Sequence, residues 1–524
     1  DIISPDLAEN YELSADKKTY TIKLRENLKW PDGNPITSAD VLYTFETIQN
    51  PEVGSPLYAA VQGVAVNATN DLTIVFTLKE PFSPFLSILT TGILPSHLWS
   101  EIPPASIKLA KLNSRPVGAG AWKFSKLVKD ESGNIQSLTL VPNDYYHRTA
   151  PFLKSLTFKF YNNYTEAING LRGQNINGVA FVPHTLKDKV SGKTIKLYDF
   201  ILPQYSAIFF NPNRSSDLKD KDLRLALNLA IDKEKIIREA LGGAGESISS
   251  PILPGMLGYD AVVKDSGFDP DLAGKTLDKK WTHIQPEEYF TIRQNSELKK
   301  YQAEIDAIKN DASSTPEMVS STLERIDSEV KNVVRQTMDS NQSFYRKDSK
   351  GNILSLTITT ADNPEYIKVA QAVAGFWRAI GIQTEIQALS GYQLNKDIVR
   401  DRNYQIFIYG QIVGSDPDPY PFWHSSQINY PGMNLANFSD RNADKILEDA
   451  RVTYSGSERA ALYKKFQTIL MTETPAIFLY TPKHLAAISE DIKGIKIENP
   501  VTPADRFQHL NEWYTKTTWR WKNN

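Results

Sequence analysis

Apolar and polar side chains alternate from the start of the chain. In residues 19–25 (TYTIKLR), Tyr20, Ile22 and Leu24 fall on one face, the period of two that predicts a half-buried strand. Trp30-Pro31-Asp32-Gly33 then signals a turn. Beyond it the period lengthens to that of a helix. Thr37 stands at the cap position, Asp40 places a carboxylate in the first turn, and Val41, Leu42, Phe45 and Ile48 form the apolar stripe that Asn50-Pro51 ends. Residues 72–78 return to alternation, with Leu72, Ile74, Phe76 and Leu78 on one face, and further strands are predicted at 136–141 and 155–161.

Later segments alternate strands with helices. The run 204–211 (QYSAIFFN) reads as a buried strand. Residues 222–241 read as helical, with Asp232 capping a new start and Gly242-Gly243 as the stop. Residues 295–340 carry Leu298, Tyr301, Ile305 and Ile308, then Val319, Leu323, Ile326, Val330 and Val333, at spacings of three and four. Ser313-Ser314-Thr315-Pro316 between the two sets supplies a turn and a cap, so an antiparallel helical hairpin is expected, with two unrelated surface helices as the alternative. A helix opens at Asn363-Pro364, runs through Trp377 and Ile380 and ends at Gly381. A strand at 382–388 follows, then strands at 404–413 and 475–480 around a helix at 458–472. This alternation predicts an α/β protein with mixed sheets. At 524 residues the chain exceeds the ~250–300 at which one core stops growing, so two or three lobes are expected.

Charge and composition narrow the function. With 59 basic and 61 acidic side chains there is no basic surplus, which argues against nucleic acid as a partner. The chain has no cysteine, so disulfides, thiolate metal sites and a thiol nucleophile are excluded. No apolar run approaches the ~18 residues of a membrane span. The start, Asp1-Ile2-Ile3-Ser4-Pro5, has neither the basic end nor the apolar core of a signal peptide. A removed targeting segment, or a start inside a longer protein, is therefore expected.

Enzyme chemistry lacks its parts. None of His97, His147, His184, His283, His424, His484 and His509 forms the four-residue pair of a helical zinc site. There is no Gly-x-Ser-x-Gly elbow, and neither Gly118-x-Gly120 nor Gly242-Gly243-Ala244-Gly245 carries a phosphate-loop Lys-Ser/Thr. No catalytic, metal or cofactor site is expected. The segment 409–423 (YGQIVGSDPDPYPFW) does stand out, running from an apolar strand into a proline-stiffened turn with two carboxylates. A carboxylate there can hold an ammonium by a charge-assisted hydrogen bond, and the strand can offer backbone groups to an extended peptide. From these residues alone a solvated Asx-Pro turn closing a strand is the simpler reading.

Several blocks, in order, resemble the solute-binding proteins of ABC importers for oligopeptides, dipeptides and nickel, family 5 of the extracellular solute-binding proteins. They are Ser4-Pro5-Asp6-Leu7-Ala8-Glu9-Asn10-Tyr11 with residues 19–25, Trp30-Pro31-Asp32-Gly33 and Ala39-Asp40-Val41. Leu94-Pro95-Ser96-His97-Leu98-Trp99, residues 117–122 (VGAGAW) and Asn143-Asp144-Tyr145-Tyr146 continue the series. Residues 222–227 (DLRLAL) with Ala230-Ile231-Asp232, and the Asp416-Pro417-Asp418-Pro419 turn, complete it. The resemblance covers nearly the whole chain apart from residues 270–345. It implies a type II periplasmic-binding-protein-like fold, with two large lobes closing over a ligand beside a smaller third lobe. On that scheme residues 1–152 form the smaller lobe, 153–250 with 480–524 the first large lobe, and 251–479 the second, carrying the helical insertion. It also implies a strand-bearing segment ahead of Ser4, whose contacts cannot be carried over.

Peptide-binding members place an aspartate after the strand matching 404–413. That position falls on Ser415, with Asp416 next, and Tyr409 occupies the place of a carboxylate-binding basic residue. The ligand contacts expected are thus Asp416, Ser415, Asp418, Tyr409, Gln411, Ile412, Val413, Tyr392 and Trp423. The implied function is capture of a peptide or peptide-like solute and delivery to an ABC permease, by a monomer outside the cytoplasm, in the periplasm or on a lipid anchor. The alternatives are a ligand-sensing receptor of the same fold and a secreted peptide hydrolase.

Overall fold

Alternating segments become strands in the computed structural model, which describes residues 3–515 apart from Asp265, Ser415 and Asn499. Tyr20, Ile22 and Leu24 are buried along Thr19–Leu24. This strand lies second in an antiparallel sheet ordered Ala8–Leu13, Thr19–Leu24, Thr73–Thr77, Ala65–Asn70. Helix Ser38–Gln49 closes the core of this unit with Val41, Phe45 and Ile48, packed with Trp30 and Phe76. The Thr37 N–H donates to the Asp40 carboxylate at 3.0 Å, and the Ser96 N–H and hydroxyl donate to it at 2.8 Å each. Asp40 is buried, and these donors offset its desolvation.

A three-stranded antiparallel sheet follows, built from Trp122–Lys129, Ile135–Pro142 and Leu156–Lys159. Trp122, Leu153 and Leu156 pack with Ile488, Leu510 and Trp513, tying this sheet to the end of the chain.

The largest sheet has mixed directions, as the strand–helix alternation predicts. Ser355–Ala361 lies parallel to Gln383–Leu389 on one side and to Ile406–Ile412 on the other. Gln204–Phe210 runs antiparallel between Ile406–Ile412 and Ala476–Ser489. Helices Lys221–Leu229, Lys233–Ala240 and Pro364–Ala379 bury Leu227, Ile237 and Trp377 in one core. Helices Arg441–Val452 and Gly456–Glu473 bury Leu447 and Phe466 in a second core, which takes the other side chains of the same strands. The helical segment 222–241 divides where expected, with the Asp232 carboxylate accepting the Lys235 N–H at 2.9 Å.

Ala476–Ser489 runs well past the strand expected at 475–480. Pro482 has no N–H to give a ladder, yet it sits where the strand changes partners. Residues 476–480 pair with 206–209, and 483–489 pair with Ile195–Ile201. Only Leu202 and Pro203 separate Ile195–Ile201 from Gln204–Phe210. Two neighbouring extended crossovers therefore join the halves of the molecule. Residues 204–247, expected with 480–524, are bonded into the larger sheet through Gln204–Phe210 and Gly245–Ser247.

The expected helical hairpin is present. Pro316–Thr337 packs antiparallel to an arm that breaks into Pro286–Leu298 and Gln302–Asn310. Thr315 caps the long helix through the Met318 N–H at 3.2 Å. The buried row is Ile326, Val330 and Val334, against Leu298, Tyr301 and Ile305. Val334 thus replaces the expected Val333, which is 41% exposed. A row stepping by four belongs to helices that cross, whereas steps of four and three belong to a supercoiled seam. Among the described residues no helix is long and apolar enough to cross a membrane.

Candidate functional site

A cleft of about 680 Å³ opens beside the two crossovers. One wall comes from 181–185 and 482–485, the other from 204–206, 363–368 and Gly410. The parallel strands Ser355–Ala361 and Ile406–Ile412 end at this cleft, the edge at which open α/β sheets hold ligands. The strand pair 358–360 with 406–408 stops at Ile408, and among the described residues no strand continues on that side of Tyr409 and Gly410. A Cβ on residue 410 would stand 2.7 Å from the Tyr366 hydroxyl, so glycine is what lets Tyr366 close against the strand. Burial pushes the Tyr366 hydroxyl up to about 12.

The charged groups around the cleft differ in how far they are paired. Lys483 is ion-paired with Glu246 at 2.9 Å. His184 bonds the Lys483 carbonyl at 3.1 Å and His484 bonds the Gln204 side-chain amide at 2.7 Å. Burial lowers the pKa of both rings below the usual 6.5. Glu365 stands in the first turn of Pro364–Ala379, fixed by the Asn363 side chain, which accepts its N–H at 2.9 Å. Its carboxylate accepts the Tyr480 hydroxyl at 3.4 Å and remains exposed to the cleft. The surrounding protein raises its pKa above the usual carboxylate value.

Among the described residues, none of those expected from the sequence lines the cleft, although Tyr409 and Gln411 flank Gly410 in the strand. Period-two alternation sends Tyr409 and Gln411 toward the second core while Gly410 faces the cleft. The Tyr205 hydroxyl donates to the Gln411 side chain at 2.5 Å, and the Gln411 amide donates to the Met433 carbonyl at 3.0 Å. Trp423 is buried in that core. Ile412 and Tyr392 are 64% and 76% exposed, and the Val413 N–H donates to the Pro203 carbonyl at 2.7 Å, tying the strand end to a crossover. Ser415 lies outside the described residues.

Both turn carboxylates are already engaged. Arg459 grips Asp416 with two bonds, at 2.8 and 2.5 Å. Arg451 holds Asp418 at 2.7 Å while its guanidinium stacks 3.6 Å from the Tyr420 ring centroid. Asp418 also accepts the Tyr420 N–H at 3.2 Å, the local cap expected of an Asx turn. Sequence reasoning passed over Glu365, Tyr366, His184 and His484. For Glu365 a signal existed, since Asn363-Pro364 opens a helix directly after a strand, where the first turn meets the cleft.

Comparison with known proteins agrees with this architecture. The profile of the bacterial extracellular solute-binding proteins, family 5 (middle region), matches residues 3–350. The oligopeptide-binding protein AppA of Bacillus subtilis (strain 168) is 23% identical over 513 residues, covering 97% of this chain and 83% of its own. Among solved structures, a putative peptide binding protein AppA from Clostridium difficile superposes with a TM-score of 0.77 at 22% identity, over 98% of this chain and 92% of its own. NikZ from Campylobacter jejuni, in complex with Ni(L-His), gives 0.73 at 23% identity, over 98% and 91%. At such identities the superpositions establish the fold alone.

Proposed function

The chain belongs to the bacterial extracellular solute-binding proteins of family 5, and from that membership we propose that it captures a peptide or peptide-like solute for an ABC-type importer. The observation that carries this reading is the cleft at the crossovers, where among the described residues no strand pairs with the Ser355–Ala361 side of Ile406–Ile412 beyond Ile408. An extended peptide can add itself to such an edge by main-chain hydrogen bonds, which bind it with little regard to side chains. The cleft's size falls within the ~300–1,000 Å³ of small-ligand sites. Oligopeptide binding by the Bacillus relative supports the same ligand class.

In this reading the halves are lobes that close over the solute. One comprises residues from about 153 to 202 with 483 onward, the other residues 204–481, and 202–204 with 481–482 form the hinge. Ile412, exposed at the carboxyl end of its strand, and Tyr392, exposed just past the end of Gln383–Leu389, extend the ligand's path, and the turn at 416–418 buttresses it. The closed form presents itself to a permease outside the cytoplasmic membrane. The protein binds and does not turn over its ligand. Incubation with an equimolar pool of short peptides should raise the melting temperature and leave every peptide intact by mass spectrometry. Cleavage that persists through further purification would instead support a secreted hydrolase.

A further inference from the structure

The cleft contains one carboxylate that the fold leaves without a counter-ion. Asp416, to which the sequence pointed, is neutralised by two bonds from Arg459. Glu365 has only the Tyr480 hydroxyl, at 3.4 Å, and among the described residues no Lys, Arg or His lies within ion-pair distance of it. Lys368, one helical turn on, lines the same cleft and forms no ion pair with it. Apart from Lys368, the cationic candidates nearby are occupied or neutral, since Lys483 holds Glu246 and both histidines are hydrogen-bonded with lowered pKa values.

Position adds to charge. Glu365 is fixed by the Asn363 cap beside Tyr366, whose hydroxyl closes on Gly410 at the free strand edge. A peptide paired with that edge therefore passes the Glu365 carboxylate. A carboxylate accepts up to about four hydrogen bonds, and this one spends a single long bond on the protein. It is partly desolvated, which raises its pKa, and an incoming cation would relieve that cost.

We propose that Glu365, and not Asp416, receives an ammonium group of the bound ligand and so sets its preference for a cationic end. This rests on the peptide reading above. An ammonium can come from a peptide's amino terminus or from a lysine side chain, and the test separates the two. Three probes would be titrated by thermal shift: an equimolar pool of tetrapeptides, the same pool N-acetylated, and an N-acetylated pool carrying one lysine per peptide. Native protein should prefer the free-amine pool to its acetylated counterpart. Glu365→Gln should weaken the free-amine pool on the order of 30-fold or more, the scale of removing one partner from a desolvated charged hydrogen bond. It should leave the acetylated pool unchanged, and Glu365→Asp, which keeps the charge, should retain part of the preference. Binding of the lysine-bearing pool that depends on Glu365 would assign the side chain as the ammonium source, and its absence would assign the amino terminus. Equal binding of the free-amine pool by native protein and Glu365→Gln would overturn the proposal, as would equal loss for the acetylated pool. Failure of native protein to bind any of the three pools would overturn the peptide reading itself, and this proposal with it.

Discussion

Asp416 and Glu365 are both acids that follow strands of the large sheet, and their surroundings give them different partners. Arg459 is nearly buried, so removing its partner strands a guanidinium in a poorly solvated place. Asp416→Asn is therefore expected to cost roughly 3 kcal/mol of stability, the lower end for breaking a buried pair. It should leave affinity for the free-amine tetrapeptide pool unchanged. Urea denaturation gives the first quantity and thermal-shift titration the second. Replacing Arg459 as well, as in Asp416→Asn/Arg459→Met, should recover part of the loss, because no unpaired charge remains. Unaltered stability of the single variant would mean that solvent screens the pair in solution.

The helical hairpin shows what one element can do for itself. Ile326, Val330 and Val334 are buried by residues of the hairpin's own first arm, so the distal part owes little to the large sheet. Its base is tied down separately. The Gln383 side chain donates to the Thr337 carbonyl at 2.6 Å, Arg378 pairs with Asp339 at 2.9 Å, and Tyr289 stacks on Tyr345 at 3.8 Å. Replacing residues 302–323 by a short Gly/Ser linker spares the base and the row 326–334, and of the side chains covering that row it removes only Ile305. The melting temperature should then move by less than about 4 °C, the shift expected of ~1 kcal/mol in a domain of this size. Peptide binding should persist. Loss of folding would show that the tip is packed on the lobe and is not an appendage.

Across the whole molecule the crossovers carry both connection and titration. His184 and His484 flank them, held neutral by burial, with Asp199, Lys187 and Lys483 acting on His184, and His184 and Arg506 acting on His484. The unfolded value is 6.5 and the folded values lie below it, so on acidification the unfolded chain takes up protons first. The stabilisation is complete above the unfolded value and is lost as pH falls through the folded values. Melting temperature should therefore drop between about pH 7 and 5.5, before most carboxylates titrate. His184→Gln combined with His484→Gln should flatten that slope. A native protein with the same melting temperature across this interval would contradict neutral histidines at the junction.

Much of this was legible in the chain because its cause is local. Alternation in Thr19–Leu24, the caps at Asp232, Thr315 and Asn363, and the stop at Gly381 depend on side chains within a few residues of one another, and each appears where the pattern puts it. Family membership followed from the order of such blocks. The cleft was not legible, since its walls come from segments as far apart as Val182, Glu365 and His484, and only the paired crossovers bring them together. Nor could the sequence separate two acids. Asp416 meets an arginine 43 positions away, and Glu365 meets only a tyrosine hydroxyl 115 positions away. Whether a carboxylate is spent on the fold or kept for a ligand depends on which partners reach it, and in this protein that is decided by tertiary structure.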